Sequence, residues 1–258
     1  MIMPVIHMIF DRESKDLDST EKQDYKKIDC SDIMGINGYC DEQAIKIIRR
    51  RIAGFPLKGI HFIGSNNYHY ISKFWIDRIR IPFSLVLFDH HSDMQPGMIK
   101  GLLSCGNWVK FLLDNNLFLQ KVFLIGTSFA SVCNIEKKYN EKCYFFPEKD
   151  IGNKKKWKIF VNENISGSFY VSIDKDVLSS DYAVTGWNQG KMNLYEIKEY
   201  LSDIYSKGKV LGMDVCGDVM KHENVYDLKR VQKIDHRTNS FLIKTISLIK
   251  STTSLCSL

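Results

Sequence analysis

Proline is scarce in this 258-residue chain, with five residues, and glycine is limited to sixteen. No stretch is low in complexity and no repeat of about 20 to 50 residues is present, which excludes collagenous, solenoid and propeller architectures and leaves no marked linker. The seven cysteines, at positions 30, 40, 105, 133, 143, 216 and 256, form no CxxC pair. Their odd number excludes a complete disulfide framework, so they read as reduced thiols, and a cytoplasmic setting is the expectation. No apolar run is long enough to span a bilayer. The opening MIMPVIHMIF runs straight into Asp11, Arg12 and Glu13, unlike a secretory signal. Concentrated basic charge is missing too: the net +6 comes from scattered lysines with only a local run at Lys154, Lys155 and Lys156. That pattern is a solvated surface, not a nucleic-acid footprint, so neither nucleic acid nor membrane is an expected partner.

What is present is ample apolar material, 44% of residues, enough for one sizeable core. Short apolar runs recur at Val5–Phe10, Ile60–Gly64, Phe83–Phe88, Val122–Ile125, Phe169–Ile173 and Val210–Val215. Segments of helical period lie between several of them, at Asp41–Ala53, Tyr68–Ile79, Leu102–Asn115, Leu194–Ser206 and Asn239–Ser251, with Asp41 and Asn193 as N-caps. This alternation predicts one α/β domain over residues 1–258, with a mostly parallel central sheet and crossover helices. The charged and aromatic segment Asn134–Lys158 reads as a surface excursion around one further strand.

Two clusters carry chemistry. The strand Phe83–Phe88 ends directly in Asp89, His90, His91, Ser92 and Asp93, and in open parallel sheets sites form beyond the carboxyl ends of strands. While the backbone stays extended, Asp89, His91 and Asp93 share one face and offer carboxylate, imidazole and carboxylate to one point. A polar turn with an N-capping aspartate is the bland alternative, but four ionisable groups in five residues after an apolar strand are costly to bury without a partner. Oxygen ligands with an imidazole suit manganese, iron or zinc. A second apolar strand ends in Asp174 and Asp176 with Lys175 between them. Together the clusters can supply two cations with bridging carboxylates, which turns a shared water into hydroxide near neutral pH.

FDHHSDMQ resembles the DAHxDxx motif of arginases and agmatinases, and SIDKDVLSSDYAVTGWNQG resembles their SxDxDxxDPxxxPGTGTPxxGG, over roughly Ile60 to Asp218. The resemblance implies a three-layer arginase-like α/β fold, helices on both faces of the sheet, and two divalent cations, manganese foremost. It also implies a ligand histidine from the segment HFIGSNNYHY, where His69 is the candidate although it sits two residues later than the family spacing. One cation would then be held by His69 and Asp93 and the other by His91 and Asp176, with Asp89 and Asp174 bridging. LGMDVCGD resembles the family strand bearing D-x-x-E. Gly217 stands where the substrate-binding glutamate is expected, so Asp218 and Asp214 become the candidate catalytic acids.

Other positions depart from the family. The histidine credited with proton shuttling is absent from LLSCGNWV, where Ser104, Cys105, Asn107 and Trp108 stand, and Gln95 is the polar residue among Met94–Met98. Gln95, Ser104, Asn107 and the loop residue Trp187 are the candidate substrate contacts. His90 points away from His91 on an extended backbone and is left out of the ligand set, as are His7, His61, His222 and His236, which have no partner at ligand spacing. Cys105 and Cys216 have no placed base for nucleophilic work. The resemblance implies hydrolysis of a C–N bond in a small or peptidyl guanidino or amidino compound, with homo-oligomers a family option. Amide hydrolysis, as in deacetylases of this fold, and metal binding without turnover are the alternatives.

Overall fold

The computed structural model describes residues 3–10, 25–97, 99, 101–219 and 227–255; Met98 and His222 lie outside them. Along the chain run β1 (Val5–Ile9), β2 (Lys26–Asp29), β3 (Tyr39–Cys40), α1 (Glu42–Ile52), β4 (Ile60–Phe62), α2 (Ile71–Ile76) and β5 (Phe83–Phe88). Then follow β6 (Leu103–Ser104), α3 (Trp108–Asn115), β7 (Leu119–Ile125), α4 (Phe129–Cys133), β8 (Cys143–Phe146) and α5 (Lys154–Asn164). The series ends with β9 (Gly167–Asp174), α6 (Leu194–Ser206), β10 (Gly208–Cys216) and α7 (Leu228–Leu255).

Eight strands form one sheet in the order β2-β1-β4-β10-β9-β5-β7-β8, and every neighbouring pair is parallel. Apolar layers cover both faces, which is why the strands read as continuous apolar runs. All six residues of β5 are buried. Leu85 and Leu87 enter the layer containing Phe74, Trp75, Trp108 and Leu112, whereas Val86 and Phe88 enter the layer containing Trp157, Tyr200, Leu201 and Ile243. The architecture is therefore the three-layer α/β fold, helices on both faces.

Local capping follows the sequence. Asp41 accepts the Ala44 N–H at the start of α1, and Arg49, Arg50 and Arg51 occupy its last turn, where cations complement the helix dipole. Asn193 and Glu196 form a reciprocal capping box on α6. Elsewhere the boundaries shift. Leu102–Asn115 is not one helix: Leu103–Ser104 pairs antiparallel with Tyr39–Cys40, and the helix starts at Trp108. The reason is Asn107, whose side chain accepts the Ser104 N–H and donates to the Leu102 carbonyl, locking a turn. Tyr68–Ile79 divides into a 3-10 turn over Asn66–Tyr68 and the short α2. The segment Asn134–Lys158 contains the expected strand, β8, but also the start of α5, whose lysines mask a buried stripe of Trp157 and Val161. Helix α7 begins at Leu228, well before Asn239. No helix among the described residues is long and apolar enough to cross a membrane.

The strand order positions the site. After β4 the chain skips two places to β5, and the gap is filled later by β9 and β10. The carboxyl ends of β4, β10, β9 and β5 therefore lie side by side at the point where the winding direction reverses, the place where open α/β sheets bind ligands.

His61 on β4 is a core imidazole, fully buried, stacked on Trp75 at 3.7 Å and bonded through Nε2 to the Pro56 carbonyl at 3.1 Å. Burial pushes its pKa down to about 3 from 6.5. Below pH 6.5 only the unfolded chain takes up this proton, so His61 makes the fold lose stability as pH falls towards 3. Denaturant titrations over this range are expected to show a shallower pH dependence for His61→Gln than for the wild type. Identical slopes would mean that His61 titrates normally in the folded protein.

Candidate metal centre

Each of the four central strands delivers its residues by local geometry. Past β4, Ser65 accepts the Asn67 N–H and starts the 3-10 turn that ends at His69. This extra turn offsets the displaced spacing of the histidine and brings its ring into the interior. Past β5 the backbone does not stay extended. Asp93 takes a left-handed conformation, φ 50°, at an expense of about 1 kcal/mol or more for a residue with a side chain. Asp93 therefore reaches the site by a turn and not by strand alternation. At the end of β9, Asp174 caps a second 3-10 turn and accepts the Asp176 N–H, so these two carboxylates are also separated by a turn.

The expected ligands converge in two groups that share Asp89. In the first, Nδ1 of His69 lies 2.8 Å from Oδ2 of Asp93 and 3.3 Å from Oδ2 of both Asp89 and Asp174. In the second, Nδ1 of His91 lies 2.8 Å from Oδ2 of Asp176 and 3.5 Å from Oδ1 of Asp89. Donor atoms of His69, Asp89 and Asp93 all lie within 4.8 Å of one another, as do those of Asp89, His91 and Asp176. Asp89 thus faces both positions with different oxygens. Asp174 faces only the first, because its Oδ1 accepts from Asn66 Nδ2 at 2.5 Å and from the Asp176 N–H at 2.9 Å.

The protonation state of His69 follows from its other nitrogen. Ser172 Oγ donates to Asp214 Oδ1 at 2.6 Å and so can only accept from His69 Nε2, at 2.9 Å. In that relay the proton sits on Nε2 and the Nδ1 lone pair points among carboxylate oxygens. His69 Nδ1 and Asp89 Oδ2 are both buried and make no hydrogen bond of acceptable direction. Lone pairs facing lone pairs in a dry interior are unfavourable unless a cation lies between them, so the donor set fits divalent metal.

The electrostatics agree. Burial raises the pKa of Asp89, reinforced by Asp93, and that of Asp174, reinforced by Asp176. Burial with the Asp89 charge pushes Asp176 up to about 7. Burial opposes protonation of both imidazoles, yet negative charge prevails: Cys216 and then Asp93 hold His69 well above its usual value, and Asp176 and Asp89 hold His91 at about 11. Without metal the site is a charge cluster that gathers protons.

Asp214 is fully buried, with its pKa pushed up to about 6 by burial, and acts on His69 through Ser172. Asp218 is engaged by the buried ammonium of Lys175, which also bonds Asp235 of α7 at 2.8 Å, and Asp218 accepts from Asn239 at 3.2 Å. Gly217 has φ +96°, and a Cβ there would meet Lys175 Cβ at 2.9 Å and Asp174 Oδ1 at 3.0 Å, which leaves no room for the family glutamate. Ser104 lies on β6, and Asn107 spends its side chain in the turn before α3. Gln95 is exposed. Trp187 is 47% exposed, its ring 5.9 Å from that of His91 and its Nε1 bonded to Asn67. The His90 ring belongs to neither ligand group, although the backbone N–H of His90 donates to Asp176 Oδ1. Burial pushes Cys105 up to about 12, far from a thiolate nucleophile.

Sequence reading assigned no role to Asn66 or Ser172 and gave Trp108 only a place in the pocket lining. Trp108 Nε1 donates to Asp93 Oδ2 at 2.5 Å, on the oxygen that faces His69. Ser172 opens the SxDxD motif, a signal that was available; Asn66 is apparent only once β4 and β9 are placed together.

Two outcomes test this arrangement. Ser172→Ala removes the partner of His69 Nε2 and is expected to weaken metal binding about 10- to 100-fold in chelator competition. Unchanged affinity would show that the relay does not orient His69. Lys175→Met leaves Asp235 buried and unpaired and is expected to lower unfolding free energy by about 3–5 kcal/mol, with partial recovery on adding Asp235→Asn. A loss below about 1 kcal/mol would mark the triad as solvated.

A profile of the Arginase family matches residues 8–217. An uncharacterized protein of Thermotoga maritima is 33% identical over 162 residues, covering 62% of this chain and 58% of that protein. Among solved structures, formimidoylglutamase from Bacillus subtilis superposes with a TM-score of 0.64 at 14% identity, covering 96% of this chain and 88% of that one. Formiminoglutamase from Trypanosoma cruzi with Mn2+ superposes with a TM-score of 0.61 at 13% identity, covering 86% and 76%. With the matched region spanning β1 to β10 and both ligand clusters, the chain belongs to the Arginase family.

Proposed function

We propose that this protein is a dinuclear metal-dependent hydrolase that cleaves a C–N bond of a guanidino or amidino compound, small or peptidyl. The observation that carries the reading is the pair of buried, unpartnered donor atoms, His69 Nδ1 and Asp89 Oδ2, among the carboxylates of Asp93, Asp174 and Asp176. Family membership supports the chemistry, and the two solved structures described above are named for formimino substrates.

Two divalent cations, when bound, supply Lewis acidity and a water of lowered pKa for attack on a trigonal carbon. The chain's own residues hold and bias them. Asp89 faces both positions, Asp214 through Ser172 keeps His69 in the ligating tautomer, and Trp108 and Asn66 hold Asp93 and Asp174 by hydrogen bonds. His91 is the partly exposed ligand, 28% of its side chain, and its ring lies 5.9 Å edge-on from that of Trp187. Gln95 is exposed and is a proposed substrate contact, and Asn67 accepts from Trp187 Nε1.

Amide hydrolysis is the second reading, and one observation favours it: Lys175 neutralises Asp218, the acid nearest the position where a cationic group would be received. Metal binding without turnover is the third. The test begins with metal analysis after manganese loading and desalting. About two equivalents per chain are expected, with loss of metal in Asp89→Ala. A panel of guanidino, formimino and amide compounds is then scored for urea, formamide, ammonia and acid. Release of acid without ammonia or urea would move the assignment to amides, and full loading without any product would leave a metal-binding protein.

A further inference from the structure

Cys216 is the last residue of β10 and stands in register with Asp174, the last residue of β9. It is fully buried. Its Sγ lies 3.1 Å from Asp174 Oδ2, the same oxygen that lies 3.3 Å from His69 Nδ1. The three donor atoms lie within 4.8 Å of one another. Donors bonded to one first-row cation at about 2.0–2.3 Å are themselves separated by about 3–4 Å, so this spacing suits shared coordination. An independent observation marks the same spot: the buried His69 Nδ1 has no hydrogen-bond partner and is directed into the group.

From this geometry, and resting on the dinuclear reading above, we infer that Cys216 is a ligand of the first metal position and makes the two positions chemically unlike. The first would combine sulfur with His69 and Asp174, beside the Asp89 and Asp93 oxygens that also face His69; the second combines oxygen and nitrogen only, from Asp89, His91 and Asp176. Thiolate is a soft ligand that favours zinc over manganese, whereas carboxylate and imidazole accept manganese. The protein is therefore built for a mixed pair, zinc beside Cys216 and manganese beside His91. Upstream of Cys216, Asp214 keeps His69 ready on the same strand, so β10 serves one position twice.

Cobalt(II) is the probe. The wild-type protein loaded with cobalt is expected to bind about two equivalents and to show a near-ultraviolet sulfur-to-metal charge-transfer band. The band should vanish in Cys216→Ala and Cys216→Ser and persist in Cys105→Ala. In zinc–manganese competition read by elemental analysis, Cys216→Ala should lose the zinc preference of one position by about tenfold or more. Two bound equivalents without the band, or the same band in Cys216→Ala, would overturn the inference and leave the dinuclear centre standing. Failure to bind cobalt at all would overturn the dinuclear reading, and the inference with it.

Discussion

Asp89, Asp93, Asp174 and Asp176 are all buried, and they lie around two imidazoles at the ends of β5 and β9. Buried this closely, their mutual repulsion is comparable with the whole net stability of a domain, about 5–15 kcal/mol. The arrangement persists only where positive charge is supplied, by protons on the histidines and acids or by metal. Everything around it serves that constraint. Trp108, Asn66 and backbone N–H groups satisfy the outer oxygens, and the Ser172–Asp214 relay keeps the His69 proton away from the centre. The strand order brings four carboxyl ends together so that no single loop has to furnish the whole set.

The same strain of charge is handled differently one residue away. Lys175, between two of the acids, turns its ammonium to the opposite side and buries it fully with Asp218 and Asp235. Burial lowers the affinity of such a group for its proton, yet the two carboxylates prevail and hold Lys175 above its usual value, while burial raises Asp235 to about 6. This pairing fastens α7 to the end of β9. It also occupies Asp218, and Gly217 beside it has no space for a longer acid. The region that would recognise a guanidinium in the resembled family is thus converted here into a structural junction.

Much of this was legible in the sequence because the chemistry is local. The acids of DHHSD and DKD follow apolar strands directly, and the register of β5 and β9 makes them neighbours. The parallel sheet was legible for the same reason, since strands buried on both faces have few other uses. What alternation could not give was the means of convergence: Asp93 arrives by a left-handed turn and Asp176 by a 3-10 turn. Contacts across strands were hidden as well. Asn66 meets Asp174 from 108 positions away, and Lys175 meets Asp235 from 60 positions away in a helix whose early turns carried no clear apolar signal. Asn107 illustrates the opposite case, a polar residue in the expected pocket lining whose hydrogen bonds are all spent on a turn.

Specificity must then reside where the enclosed groups are not. Five of the six metal-ligand side chains are at most 8% exposed, and His91 alone reaches 28%. The cluster is therefore open to solvent on the His91 side, where the ring of the exposed Trp187 lies 5.9 Å from that of His91. An indole accepts flat, delocalised groups, cationic or neutral, by stacking. Under the proposed function, recognition would rest on that indole face, because the acid beside Gly217 is already held by Lys175.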